Sequence, residues 1–236
     1  DGCITPSQYF GNLMAERLKL EKEKVLYHPN GITTEGFSQN EKEILPPIIG
    51  FLARLCPLKG LDILVDAFLI LKKSNEYPDL RLEIAGGMTD EDVAFVEEQK
   101  DKLLKSGFSE YSQIYPNIKR EEKLSFLKNL SVFSVPSRYP EAFGLYVIEA
   151  LAAGTPVVLP KSGAFPEIIQ ETKGGLIYDQ NNPETLAQSL DEILKNPKEF
   201  KQKGINGRTA VLDKYSNKKL AQSLVDNILA PALAKF

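Results

Sequence analysis

Glu141 and Glu149 stand with seven residues between them in the stretch "YPEAFGLYVIEALAAGTPVV", Phe143-Gly144 among these. Leu145, Ile148, Leu151 and Ala152 fall on one face at helical spacing, and Gly154 followed by Pro156 is a helix stop. Glu141 is therefore expected in a loop and Glu149 in about the second turn of a helix. A carboxylate at such a place matches its two oxygens to the vicinal hydroxyls of a sugar. Gly144 lacks a Cβ, which lets a ligand approach the backbone. The N–H groups of Phe143 to Leu145, at a helix start, attract a phosphate or sugar oxygen. Both acids also suit the helix macrodipole with no ligand involved. A second set of charges, Arg54 and Lys59, lies in "ARLCPLKGLD". A planar guanidinium fork and a compact ammonium over one crevice would suit a diphosphate. Taken alone, the two cations fit a solvated loop better.

These residues need a frame. Six strand-like runs alternate with helical patterns: 47–55 "PIIGFLARL", 80–87 "LRLEIAGG", 112–116 "SQIYP", 131–137 "SVFSVPS", 156–160 "PVVLP" and 174–179 "GGLIYD". Between them, 61–74, 90–107, 120–129 and 164–171 read as helices, and three helical segments close the chain. The pattern predicts an α/β fold: a doubly wound, mostly parallel six-stranded Rossmann-like sheet with helices on both faces. Ligands of such sheets bind beyond the carboxyl ends of the strands. Arg54 with "CPLKG", Gly86-Gly87, "PNI" at 116–118, "SRYPEAFG" at 137–144 and "KSGAFPE" at 161–167 all fall there.

Composition narrows the chemistry. The chain has 236 residues, 42% of them hydrophobic, and a net charge of −3, which argues against a nucleic-acid footprint. No apolar run reaches the ~18 residues of a membrane span. Cys3 and Cys56 form no framework or metal spacing, and a reducing cytoplasm is the expected compartment. A single histidine, His28, leaves a zinc cluster or a cysteine–histidine catalytic pair without ligands, and it reads as a packed or turn-adjacent residue. The "DED" run at 90–92 reads as a helix-start cluster. There is no dinucleotide G-x-G-x-x-G, no P-loop and no G-x-S-x-G elbow.

Read in order, "NG" at 30–31, "GFLARLCPLKG", "LEIAGG", "VPSRYPEAFGLYVIEALAAGTPVV", "SGAFPEII" and "GGLIYD" resemble the retaining nucleotide-sugar glycosyltransferases of group 1, or family 4, which have two Rossmann-like domains in the GT-B arrangement. The resemblance covers nearly the whole chain, and the E-x7-E pair is its most specific element. It implies that Arg54 and Lys59 contact the diphosphate and stabilise the leaving nucleoside diphosphate, and that Glu149 binds the ribose hydroxyls. Glu141 would contact the donor sugar, and Ala142, Phe143, Gly144 and Leu145 would present backbone groups to the sugar or distal phosphate. Asn117 and Ile118 would lie against the base through main-chain atoms. The implied reaction is metal-independent transfer with retention from a nucleoside diphosphate sugar, a UDP-sugar being the first expectation. Neither a metal nor another cofactor is expected. A front-face route is generally preferred in the family over double displacement.

The resemblance also implies a domain plan. Residues 1–46 match the end of an N-terminal domain and a hinge, 47–214 the Rossmann-like nucleotide-sugar domain, and 215–236 a helical segment that crosses back to the N-terminal domain. That domain would carry the acceptor site, a histidine against the donor sugar and any contact with the inner membrane. The chain then reads as the donor-binding half, binding nucleotide but transferring little sugar alone. One departure is "KSGAFPE", with one glycine where the family often has two before a glutamate. Rival readings are a non-catalytic nucleotide-sugar-binding domain and a related two-domain sugar phosphorylase or epimerase; the latter two lack a pyridoxal-lysine context and sufficient histidines.

Overall fold

The fold is described for residues 2–40 and 44–233 of a computed structural model. In chain order the elements begin with β1 (Cys3–Thr5), α1 (Gln8–Leu18), β2 (Val25–Tyr27), β3 (Ile48–Leu52) and α2 (Leu61–Lys73). They continue with β4 (Arg81–Gly86), α3 (Val93–Lys105), β5 (Ser112–Pro116), α4 (Arg120–Lys128), β6 (Val132–Ser134) and α5 (Leu145–Ala152). The last are β7 (Val157–Pro160), α6 (Phe165–Thr172), β8 (Gly175–Tyr178), α7 (Pro183–Lys195), α8 (Pro197–Lys214) and α9 (Asn217–Leu224). The chain stays helical beyond α9 through Leu233.

Six strands pair in the order β5-β4-β3-β6-β7-β8, every pair parallel. The sheet is Rossmann-like, as the alternating runs predict, and wholly rather than mostly parallel. The apolar runs follow from burial on both faces: Ile49, Phe51, Leu82, Ile84, Val132, Phe133 and Val157 to Leu159 are inaccessible to solvent. Chain order runs outward from β3 through β4 to β5, then jumps back to β6 and runs the other way. Right-handed crossovers therefore put α2 and α3 on one face and α5 and α6 on the other. α2 packs against α7, and α5 against α8. Fully burying a side chain such as Leu64, Phe68, Ile148 or Leu151 contributes about 1.5–3 kcal/mol. The switch point lies between β3 and β6, and sheets of this kind bind ligands there, beyond the strand ends.

β1 and β2 form a separate two-stranded parallel sheet. Ser7 caps α1 by accepting from the Phe10 N–H at 3.0 Å, and its hydroxyl donates to the Ala142 carbonyl at 2.6 Å. The Glu167 carboxylate on α6 accepts from the N–H groups of Gln8 at 2.9 Å and Tyr9 at 2.6 Å. The start of α9 returns to this segment: Ile32 N–H donates to Tyr215 and Asn217 N–H to Ile32. His28 Nε2 lies 3.0 Å from the Leu220 carbonyl, a packed histidine.

Candidate functional site

β6 ends at Ser134 and α5 begins at Leu145, so the loop between them carries Ser137 and Glu141 over the switch point. Glu141 therefore precedes the helix, and Glu149 is its fifth residue. Neither lies in the first turn, where the helix dipole would suffice to explain an acid. Glu141 is 13% exposed and ion-pairs with Lys59, which reaches it from the 3-10 turn Pro57–Lys59 after β3. Ser137 Oγ lies 3.1 Å from the same carboxylate oxygen, Oε1, which competes for its one proton with the Tyr139 carbonyl at 2.8 Å. Among the described residues none donates to Oε2. The Lys59 ammonium also stands 5.5 Å from the centre of the Tyr146 ring, a cation–π distance. Arg138 fixes the turn that carries Lys59. It holds Asp62 bidentately at 2.6–2.7 Å and the Pro57 carbonyl at 2.6 Å. Burial pushes the Asp62 carboxyl up, but Arg138 and the backbone N–H groups around Asp62 outweigh it and leave the group below its ordinary value.

The corner into α5 turns at Gly144, whose φ of +98° few side-chain-bearing residues adopt. A Cβ there would meet Phe165 Cε1 at 2.9 Å. Conformation and packing against α6 thus each favour glycine at this position. Phe143 is buried with its ring 5.9 Å from that of Tyr215, and Leu145 is exposed. The N–H groups of Phe143, Gly144 and Leu145 donate to none of the described residues. They are the unsatisfied donors of a helix start and can hold an anionic or hydroxyl oxygen. The single glycine of "KSGAFPE" closes on this corner. A Cβ on Gly163, at φ +58°, would meet the Glu141 carbonyl oxygen at 2.4 Å, and Ala164 N–H donates to that oxygen at 2.9 Å.

Glu149, 16% exposed, is held by Lys123 of α4. Arg54 is half exposed and turns toward the start of α3. Its Nε donates to Asp92 at 3.1 Å, and its terminal nitrogen lies 3.4 Å from both Thr89 and Glu91. Hydrogen bonds from Thr89, and then from Arg54, hold the Asp92 carboxyl below its ordinary value. Arg54 and Lys59 are therefore each paired with acids of different loops, not joined over one void. Asn117 takes a left-handed φ of +55°, and its side chain clamps Met88 through the N–H at 2.9 Å and the carbonyl at 3.1 Å. Asn117 N–H donates to the Gly86 carbonyl at 2.8 Å, and the Ile118 side chain packs on the core.

Three side chains of the site escape sequence reasoning: Lys123, Ser137 and Tyr146. Lys123 looks like one more cation on the amphipathic segment "REEKLSFLKN", and Tyr146 like a member of a helix face. Only the sheet order brings α4 and the β3 turn to α5. Among the described residues no group of three or more His, Cys, Asp and Glu gathers as metal ligands. Cys3 and Cys56 are both free thiols.

Residues 33–210 match the family model described as "Glycosyl transferases group 1". A glycosyltransferase of Methanocaldococcus jannaschii, itself uncharacterised, is 28% identical over 208 residues, covering 88% of this chain and 54% of its own length. The chain spans about half the length, or less, of the curated relatives it matches. The C-terminal domain of a glycosyl transferase group 1 family protein from Francisella tularensis superposes with a TM-score of 0.70 at 26% identity, over 79% of this chain and 100% of that one. The Anabaena protein HepE, solved with UDP and glucose, superposes with a TM-score of 0.82 at 17% identity, over 99% of this chain and 62% of that one. With the family match extending over the sheet and every loop of the crevice, the chain belongs to the group 1 glycosyl transferases.

Proposed function

We propose that this chain is the donor-binding half of a retaining glycosyltransferase that moves a sugar from a nucleoside diphosphate sugar, UDP-sugar first, to an acceptor. The observation that carries the reading is the Lys59–Glu141 pair at the switch point, beside the unsatisfied N–H groups of Phe143 to Leu145. A diphosphate draws Lys59 away from Glu141, and the half-exposed Arg54 leaves the exposed Glu91 and the buried Asp92, which keeps its two hydrogen bonds from Thr89. Both cations then stabilise charge on the leaving diphosphate, the largest demand of an oxocarbenium-like transition state. Glu149, held by Lys123, accepts from the ribose hydroxyls, and Glu141 turns to the sugar. Backbone groups of Ala142 to Leu145 hold the sugar or distal phosphate, and the main chain of Asn117-Ile118 faces the base. Two cations and a helix start supply the positive charge that a metal supplies elsewhere, so the reaction is proposed to need none. UDP as nucleotide is supported by the Anabaena neighbour, which is solved with it.

The acceptor site is assigned to an N-terminal half. The support is the β1–β2 sheet. Parallel sheets are normally covered on both faces, yet Ile4, Leu26 and Tyr27 of these two strands are 47%, 43% and 42% exposed. Further strands and helices of the same protein would cover them. No helix among the described residues is long and apolar enough to cross a membrane. A cytoplasmic location is proposed, with any membrane contact made through the N-terminal half. The test is to incubate this chain with UDP-glucose and follow free UDP while measuring UDP affinity by calorimetry. Binding without sustained UDP release is expected. Steady transfer or hydrolysis by this chain alone would overturn its assignment as a half-enzyme, and absence of binding to UDP, GDP and ADP would overturn the donor-site reading.

A further inference from the structure

Lys123 is the cation of the site that pairs with Glu149 rather than with an acid of the phosphate side. It is the fourth residue of α4, the helix that starts just after Asn117-Ile118. The entry to that helix is fixed at two points. The Glu122 carboxylate accepts from the Lys119 N–H at 2.7 Å, and Arg120 Nη2 donates to the carbonyls of Thr33 at 3.3 Å and Glu35 at 2.8 Å. From this anchored turn Lys123 Nζ donates to Glu149 Oε1 at 2.5 Å. The two side chains are 24% and 16% exposed, so the pair is largely sheltered from water, and parting it would leave a charge mostly buried and alone. Among the described residues the Glu149 carboxylate accepts from no other side chain, and the Lys123 ammonium donates to no other group. One carboxylate oxygen is therefore pinned, while Oε2 takes no hydrogen bond from the described residues.

On the donor-site reading given above, Glu149 meets the ribose, while Lys59 and Arg54 meet the diphosphate. The ribose is uncharged, so nothing in it competes for Lys123. We infer that Lys123 is a positioning residue that makes the site selective for an intact ribose diol: by holding Oε1 it fixes the plane of the Glu149 carboxylate, so that both neighbouring hydroxyls are met at once. Each carboxylate oxygen carries two lone pairs. With the ammonium on one lone pair of Oε1, the other lone pair and those of Oε2 accept from the two hydroxyls. The last torsion of a glutamate is broad, with no sharp preferred angle. Without Lys123 the carboxylate turns freely about it and holds the hydroxyls one at a time. Hydrogen bonds to a carboxylate are stronger than neutral ones, so the pinning is read directly as a preference for ribose over its deoxy forms.

The test is calorimetric titration with UDP, 2′-deoxy-UDP and 3′-deoxy-UDP at one pH and one salt concentration. It compares this chain with Lys123→Met, Lys123→Arg, Glu149→Gln and the double variant Lys123→Met/Glu149→Gln. The readout is the ratio of the UDP affinity to that of each deoxy form. A general loosening of the fold weakens all three ligands alike and leaves that ratio where it was. The wild type is expected to prefer UDP by about tenfold or more. Lys123→Met should lower the preference to about threefold or less. Lys123→Arg keeps the charge and should keep the melting temperature. Its planar fork takes both carboxylate oxygens, so the preference should fall there as well. This variant decides the question if Lys123→Met does not fold. In the Glu149→Gln background Lys123→Met should leave the ratio unchanged, because Lys123 acts through Glu149. A wild-type preference in either single Lys123 variant, or the same fall in the Glu149→Gln background, would overturn the inference and leave the donor site standing. Equal binding of all three ligands by the wild type would overturn it together with the assignment of Glu149 to the ribose. A wild-type chain that binds none of UDP, GDP and ADP would overturn the donor-site reading itself.

Discussion

At the scale of single residues, the cations of the site are paired with its own acids. Lys59 answers Glu141, Lys123 answers Glu149, and Arg54 answers Asp92 and Glu91. Each cation is thus held near the crevice by a carboxylate that a bound anion can replace. The backbone is equally constrained. Replacing Gly144 by alanine puts a side chain at a φ of +98° and against Phe165. The expected loss is about 1–3 kcal/mol of stability in urea denaturation, with nucleotide affinity falling as the corner shifts. Wild-type stability for this variant would show that the corner is not strained. Some of this was readable in advance. The E-x7-E spacing placed Glu141 in a loop and Glu149 within a helix, because helical periodicity and a Gly-Pro stop delimit α5. The partners were not readable, because Lys123 and Glu149 stand 26 residues apart and meet only through the packing of α4 beside α5.

At the scale of elements, α1 is tied to the loop that carries Glu141 rather than hanging free of it. Ser7 donates to Ala142, and Glu167 caps the N–H groups of Gln8 and Tyr9, so α1 and α6 meet beside the corner that carries Glu141. Replacing Glu167 by alanine leaves two amide donors of α1 without a carboxylate, a loss of about 1–3 kcal/mol at that joint. Limited proteolysis should then cut within residues 2–30 several times faster than in the wild type while the sheet stays protected. Equal cutting rates would mean that the joint is held elsewhere. The strands themselves were legible as continuous apolar runs. The β1–β2 pairing was less so, because three-residue strands carry little periodicity. The pairing of Arg54 with Asp92 was hidden for another reason: "DED" reads correctly as a helix start, but the cation that joins it comes from the next strand of the sheet.

At the scale of the whole molecule, buried tyrosines tie the segments together. Tyr215 donates to Glu171 and its ring lies tilted against that of Phe143, and burial followed by the charges of Glu171 and Glu167 raises Tyr27 to about 12. Burial also pushes Tyr77, Tyr146, Tyr178 and Tyr215 above their ordinary values. A raised folded pKa favours the neutral phenol in the native state. The stabilisation is whole below the unfolded value of about 10 and is lost as pH rises toward 12 and beyond. An alkaline titration should therefore show part of the nine tyrosines ionising late, together with loss of circular dichroism. Ionisation of all nine near the ordinary value with the fold intact would contradict this packing. The central claim is that the crevice between β3 and β6 holds a nucleoside diphosphate through Lys59 and Glu149. Its most direct test is calorimetric titration with UDP of the wild type, Lys59→Ala and Glu149→Ala at one salt concentration. The account predicts binding by the wild type and at least a tenfold loss in each variant, about 1.4 kcal/mol or more; wild-type affinity in both variants would contradict it.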